Sequence, residues 1–422
     1  MKRWTNRWKS FVQGGVISMV VPLGLLALLE AGIRLSGIDV DATKNKNFKV
    51  MVPVWLLADE NWVELKKERL KNQGGIPADR LDWFGYFEEA RFIQYKMKPL
   101  VRAFVVNPFN PIEREKQVKF LMASNSQGFR TKEFSQEKGE HVYRIIALGD
   151  SSTFGWGVEA TYTFPQRLEE TLNAQGGTLR YEVLNLGIPG YTSLHGVNLF
   201  NHFAKSLSPD LLIVSFGAND ARWLKYPMKE VLALEETWVG ALRSFLRNFY
   251  TYKLMRKLIF YFYDPVSGKS SGEGRETLQL NQLAVSGKDY QENLAYFIDA
   301  AREKGAQAIL LGICAPNSYL EMMKNVSLAK EAPFINAHQL FRERLEEITR
   351  KEIYKDLVDY YENLYGRKAM EQNRSLYVST DGCHPNAIGH ALIAEAIYHQ
   401  MKSWHFIAQN RGLILPGLPF NQ

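Results

Sequence analysis

Residues 143–158 read Y-R-I-I-A-L-G-D-S-S-T-F-G-W-G-V, and the serine at their centre is the first candidate for chemistry. The apolar run 145–148 has the character of a buried strand. It stops at Gly149-Asp150-Ser151, and Gly155 and Gly157 loosen the chain just beyond. Leu168 and Leu172 then share one face of a helix expected over 164–173. A strand that ends in a small-residue turn and enters a helix sets that turn at the carboxyl edge of a sheet, where open α/β folds bind and react. A hydroxyl there is exposed and the amides of the turn point outward as donors. A lone tripeptide of this kind is more often an ordinary turn. Three further blocks supply what acyl transfer would need. They are Asn185-Leu186-Gly187-Ile188-Pro189-Gly190, Gly217-Ala218-Asn219-Asp220, and Asp381-Gly382-Cys383-His384-Pro385-Asn386.

Roles follow from residue type. Ser151 is the candidate nucleophile and His384 the general base that takes its proton. Asp381, three residues earlier in the same loop, is the candidate acceptor for the other imidazole nitrogen. The oxyanion donors would be the backbone amides of Ser151 and Gly190 and the side-chain amide of Asn219. Gly190 has no side chain to obstruct approach. Pro385 suits the first position of the following helix. Several residues have plainer readings. Asp150 would only fix its own turn, and Asp220 would only cap the segment after it. His195, His202 and His390 read as packing or helix-surface residues. Cys383, beside His384, is either a reactive thiol or the partner of Cys314, a choice the spacing leaves open.

The elements that must deliver these loops are legible from hydrophobic periodicity. Strands are expected at 142–148, 181–186, 210–216 and 306–313, with a fifth near 357–360. Helical stretches lie between them, including 193–206 and 289–304, and a last helix over 387–401 shows an apolar face through Ile388, Leu392, Ala396 and Ile397. Near-continuous apolar strands alternating with helices indicate a parallel sheet covered on both faces. Each such strand delivers a loop to the same edge, which would gather the four blocks.

In this order, the four blocks resemble the SGNH hydrolase superfamily, also called the GDSL esterase/lipase family. The likeness lies in Gly149-Asp150-Ser151, Asn185 through Gly190, Gly217-x-Asn219-Asp220 and Asp381-x-x-His384. It implies Ser151 as nucleophile, Gly190 and Asn219 as oxyanion residues and Asp381 with His384 as the remaining pair. It also implies a flavodoxin-like three-layer α/β/α sandwich around a five-stranded parallel sheet. Ser152 departs from the apolar residue usual after the nucleophile, which weakens a lipase-like reading. The likeness covers 141–405 and does not extend to 37–140 or to an insert at 222–287.

Those outer parts have their own patterns. Lys2, Arg3, Arg7 and Lys9, with Trp4 and Trp8, precede a run over 11–29 in which only Gln13 and Ser18 are clearly polar. As a helix the run spans about 28 Å, close to a bilayer's hydrocarbon core. The expectation is an uncleaved transmembrane signal anchor within 1–36. Its N-terminus would be cytoplasmic and the remainder extracytoplasmic, periplasmic or extracellular. A cleaved signal peptide is disfavoured because no good pair of small residues precedes Gly37. Glu30 and Arg34 are spaced to pair. The extension 37–140 shows a charged helical piece at 61–71, an aromatic stretch at 83–95, a strand at 101–106 and a turn at 125–130, without a mechanism. The insert carries an aromatic, basic helical segment, read first as a cap over the sheet edge and second as a membrane-surface helix. A tail follows at 406–422.

Composition excludes other classes. With 46% hydrophobic and 23% charged residues the chain is globular, and its net charge of +7 is spread without a basic block, so nucleic acid is not an expected partner. Two cysteines and eight unclustered histidines argue against a structural zinc site, and no cofactor or metal is expected. The expected function is a serine esterase acting on acyl or acetyl esters of envelope carbohydrate or lipid. An O-acyltransferase modifying an extracytoplasmic polysaccharide, with a membrane acyl-donor protein as partner, would use the same residues. A non-catalytic binding protein with a relic site is a third reading.

Overall fold

The structure, a computed structural model, describes residues 2–38, 40, 86–106, 119–224, 227–262, 282–348, 376–378 and 382–406, with positions 352, 355, 359 and 363. Its helices are α1 (Lys2–Leu35), α2 (Ser151–Phe154), α3 (Phe164–Ala174), α4 (Ser193–His202), α5 (Met228–Glu236), α6 (Trp238–Leu246), α7 (Tyr250–Phe262), α8 (Gly287–Glu303), α9 (Asn317–Ala329), α10 (Ala337–Ile348) and α11 (Ala387–Ser403). Its strands are β1 (Phe87–Ala90), β2 (Gln94–Met97), β3 (Arg102–Val106), β4 (Lys119–Ala123), β5 (Val142–Gly149), β6 (Arg180–Asn185), β7 (Leu211–Ser215), β8 (Trp223–Leu224), β9 (Gln282–Leu283), β10 (Gln307–Gly312) and β11 (Phe334–Asn336).

Five strands form one parallel sheet in the order β11-β10-β7-β5-β6. The apolar run of β5 is buried on both faces. Ile145 and Ala147 join a core built with α3, α10 and α11, and Ile146 and Leu148 alternate with them. On the other side α8 packs on β7, β10 and α4. The chain leaves β5 toward β6 on one side, then crosses to β7 on the other. The resulting switch point opens the crevice between the carboxyl ends of β5 and β7.

Four expected strands lie within one residue of the observed bounds. The fifth does not: the outer strand is β11, paired to β10 from Leu310↔Phe334 to Gly312↔Asn336. Three residues, F-I-N, are too short to show a period. Of the stretch 357–360 only Asp359 is described, and it is helical.

The chain divides into two compact units, Met1–Arg69 with Ala233–Leu278, and Leu70–Leu232 with Gln279–Gln422. The larger holds the sheet, two antiparallel pairs from the extension (β1–β2 and β3–β4) and the β8–β9 pair at the base of the insert. In the smaller, α1 packs against α7. Glu30 pairs with Arg34 at 2.7 Å, as the spacing predicts. Glu30 also accepts from the amides of Tyr250 and Thr251, both at 2.8 Å, and so caps the start of α7. Burial pushes its carboxyl up, but those amides, the Thr251 hydroxyl and Arg34 outweigh burial and hold it down at about 2.

Among the described residues no helix is long and apolar enough to cross a membrane. Of the run 11–29, side chains 11–17 and 19 lie outside the description, as does the charged piece 61–71 of the extension.

Candidate active site

The nucleophile turn is built by its own neighbours. Asp150 sits in extended backbone (φ −97°) as the N-cap of α2, and its Oδ1 accepts from the Ser152 amide at 2.9 Å. Ser151 is therefore the first residue of a short helix, and its N–H has no acceptor among the described residues. Beneath the turn lies Arg130, buried, donating to the carbonyls of Phe154 (3.0 Å), Gly155 (2.6 Å), Val158 (2.6 Å) and Leu121 (3.0 Å). Burial lowers its guanidinium to about 10, with Glu159 opposing, so it remains a cation near neutrality. The turn at 125–130 presents it, closed by Asn125 Oδ1 accepting from the Gln127 and Phe129 amides at 3.1 and 2.9 Å.

The second loop is stitched to the first. Asn185 Nδ2 donates to Thr153 O at 2.9 Å and its Oδ1 accepts from the Gly187 amide at 3.0 Å. A Cβ on Gly187 would stand 2.4 Å from Phe154 N, so only glycine permits this approach. Gly190 follows with φ +87°, a left-handed backbone that suits glycine. Its N–H has no acceptor among the described residues. From the third loop Asn219 Nδ2 donates to Tyr191 O at 2.9 Å and to Asp150 Oδ2 at 3.3 Å. Asn219 thus bridges the residue after Gly190 and the residue before Ser151.

The last loop completes the constellation. His384 Nε2 lies 2.8 Å from Ser151 Oγ, across 233 residues of chain. Two further links set that loop. Ser152 Oγ donates to Cys383 O at 3.1 Å. Cys383 is bonded to Cys314, with Cα atoms 4.5 Å apart, which resolves the choice left open by spacing in favour of a disulfide. Asn386, not Pro385, begins the final helix: its Oδ1 accepts from the amides of Ile388 and Gly389, both at 3.0 Å. Pro385 stands one position outside, because the asparagine is the better cap. Asp381 lies outside the described residues.

Two buried acids border Asn219. Burial raises the Asp150 carboxyl, opposed by the Ser152 amide, His384 and Arg222. Burial lifts Asp220 to about 7, with Ser193 opposing and Asp150 adding to the rise. Asp220 does not cap the segment after it. Its Oδ1 instead accepts from the Ser193 amide at 2.9 Å and the Ser193 hydroxyl at 2.5 Å, tying the third loop to the start of α4. His195 and His390 are fully buried packing residues; His390 accepts the Phe164 amide at 3.2 Å, and burial holds its imidazole at about 3. His202 is exposed and stacks on Phe92.

Sequence reasoning missed Arg130, Ser152 as a link, and Tyr95, whose hydroxyl donates to Pro189 O at 2.7 Å. The aromatic stretch at 83–95 was a visible signal for Tyr95, but its partner lies 94 residues away.

The chain is similar to several known proteins. A protein of Mycoplasma pneumoniae described as uncharacterized is 25% identical over 204 residues, covering 43% of this chain and 23% of that protein. The chain therefore spans about a quarter of the curated relative it matches. Among solved structures, the psychrotrophic esterase EstA from Pseudoalteromonas sp. is 17% identical, with a TM-score of 0.35 over 63% of this chain and 100% of that one. The acetylxylan esterase Axe2 from Geobacillus stearothermophilus is 14% identical, with a TM-score of 0.36 over 61% and 94%. The model of the GDSL-like lipase/acylhydrolase family matches residues 147–392, a segment that runs from β5 into α11 and contains all four loops. The chain belongs to the GDSL-like lipase/acylhydrolase family, a family of ester-bond hydrolases.

Proposed function

We propose that the protein is a serine esterase that hydrolyses acyl or acetyl esters of envelope carbohydrate or lipid through an acyl-enzyme on Ser151. The observation that carries this reading is the 2.8 Å approach of His384 Nε2 to Ser151 Oγ, beside two backbone amides left without an acceptor among the described residues. As Oγ attacks the ester carbonyl its proton passes to Nε2, and the carbonyl oxygen becomes an anion. The amides of Ser151 and Gly190 receive it, and Asn219 exchanges its longer 3.3 Å bond to Asp150 for a bond to that oxygen. The leaving alcohol takes the proton back from His384. Water, deprotonated by the same imidazole, then cleaves the acyl-enzyme and the acid departs. Asp381 is assigned the role of holding the His384 tautomer.

The enzyme is proposed to work outside the cytoplasm, held by α1. Seven described apolar side chains of α1, from Val20 to Leu29, are 51–71% exposed, including consecutive positions, which suits lipid better than water. The Cys314–Cys383 disulfide suits an oxidising compartment.

A fluorophosphonate probe and a short-chain ester test the chemistry on the full chain. Ser151→Ala should take no label, and His384→Ala almost none, since an unassisted serine hydroxyl is a poor nucleophile. Asn219→Ala should label slowly and turn over about a hundred- to a thousand-fold less. Ser151→Ala turning over ester like the wild type would end this reading. With a glycan acceptor present, acylated glycan formed faster than free acid would make the reaction a transfer.

A further inference from the structure

The Pro189–Gly190 peptide is gripped by a part of the chain that lies before the family segment. Tyr95, in β2, donates its hydroxyl to Pro189 O at 2.7 Å. The carbonyl of residue 189 and the N–H of Gly190 belong to one planar trans unit and point in opposite directions. A donor fixed on the carbonyl therefore sets where the N–H points. It also draws electron density onto the carbonyl oxygen and makes the N–H a stronger donor, as in any chain of hydrogen bonds.

We propose that Tyr95 is a positioning residue of the oxyanion hole, its hydroxyl orienting and polarising the Pro189–Gly190 peptide toward the oxyanion that develops on the substrate. This inference rests on the reading of Gly190 as an oxyanion donor. The surroundings of Tyr95 suit the task. The Tyr191 hydroxyl donates to Tyr95 O, and Asn219 Nδ2 donates to Tyr191 O at 2.9 Å. These bonds fasten Tyr191 to Asn219 and Tyr95 to Tyr191 through separate backbone and side-chain groups, and so hold the Tyr95 hydroxyl in place against Pro189 O. Tyr95 is 2% exposed and meets Tyr191 edge to face at 5.1 Å. Its hairpin is clamped to α4. Gln94 Oε1 lies 3.0 Å from His195 Nε2, and Asn198 Nδ2 donates to Phe92 O at 2.8 Å. Burial pushes the Tyr95 phenol far above its ordinary value, so the hydroxyl keeps its proton wherever the enzyme is assayed. The β1–β2 hairpin of the extension thus has a task in the chemistry.

Tyr95→Phe removes the hydroxyl and keeps the ring. The test uses the full chain with p-nitrophenyl acetate, follows the Gly190 amide nitrogen by NMR, and runs Ser151→Ala alongside. Losing a whole oxyanion donor costs a hundred- to a thousand-fold. Here the donor stays but loses its anchor and polarisation, so kcat should fall about tenfold with KM unchanged. The Gly190 nitrogen resonance should move, and most other resonances should stay in place. A wild-type kcat in Tyr95→Phe, with Ser151→Ala inactive, overturns the inference alone: the hydroxyl then only satisfies a buried carbonyl. A general collapse of the spectrum, with kcat and KM both impaired, overturns it as well and makes Tyr95 a packing residue. Ser151→Ala as active as the wild type overturns the parent reading and this inference with it.

Discussion

A carboxyl group sealed from water holds its proton to higher pH, and Asp220 is such a group in the same loop as Asn219. It accepts twice from Ser193 through Oδ1, yet burial prevails and lifts it from 3.8 to about 7. The sign of the linkage follows. The folded state binds this proton more tightly than the unfolded chain, so its contribution to stability is complete below 3.8, shrinks between there and about 7, and is absent above. Asp220→Asn keeps an oxygen for Ser193 and removes the titration. Relative to wild type, its urea midpoint should rise steadily from pH 4 to pH 7 and then level off, by an amount worth about 2–4 kcal/mol. Parallel curves for the two proteins across that window would show that Asp220 is ionised throughout. The approach of Ser151 and His384 was legible because chemistry restricts their types: a serine in a tight turn and a histidine just before the last helix, with an Asn-Asp after a strand beside them. What Asp220 touches was not legible, since Ser193 lies 27 residues upstream and a capping role one turn ahead was the local expectation.

At the scale of elements, the site is loops held by other loops. The disulfide joins the end of the β10 strand region to the loop of His384, across 69 residues of sequence. Closing so long a loop in the unfolded chain is worth about 4 kcal/mol in the chain-entropy account. Its position adds a second effect, because Cys383 is the neighbour of His384 and is also held through its carbonyl by Ser152. Replacing both cysteines by serine should therefore lower the thermal midpoint and slow fluorophosphonate labelling of Ser151 about tenfold, as the imidazole drifts from 2.8 Å. Thermal melts and labelling rates of the two proteins decide it, and unchanged labelling would leave the disulfide a purely global staple. The parallel strands were readable because burial on both faces makes them continuous apolar runs. The edge strand β11 was not: it is three residues long and half-buried in part, so it has neither length nor period to announce it.

Taken whole, the molecule carries its family segment between parts whose contacts are remote in sequence. Glu30 at the end of the apolar run caps α7, 220 residues later, which no local pattern reveals. The insert, expected as a cap over the sheet edge, contributes helices that group with α1 in the smaller unit. That grouping gives α1 a consequence for topology. Its described apolar side chains, seven of them more than half exposed between Val20 and Leu29, would together gain more than ~10 kcal/mol on leaving water. Pro22, inside the helix, is better tolerated in a bilayer than in a soluble helix. Lys2, Arg3, Arg7 and Lys9 stand immediately before the run and none of the basic residues lies within it, which accords with the proposed cytoplasmic N-terminus. The full chain should therefore stay with membranes through high salt and alkaline washing. An alkaline phosphatase fused after Gln422, which folds only where disulfides form, should be active. A fluorescent protein that matures only in the cytoplasm should be dark in the same place. A bright cytoplasmic reporter, or mature protein beginning near residue 30, would remove the anchor and with it the extracytoplasmic placement of the esterase.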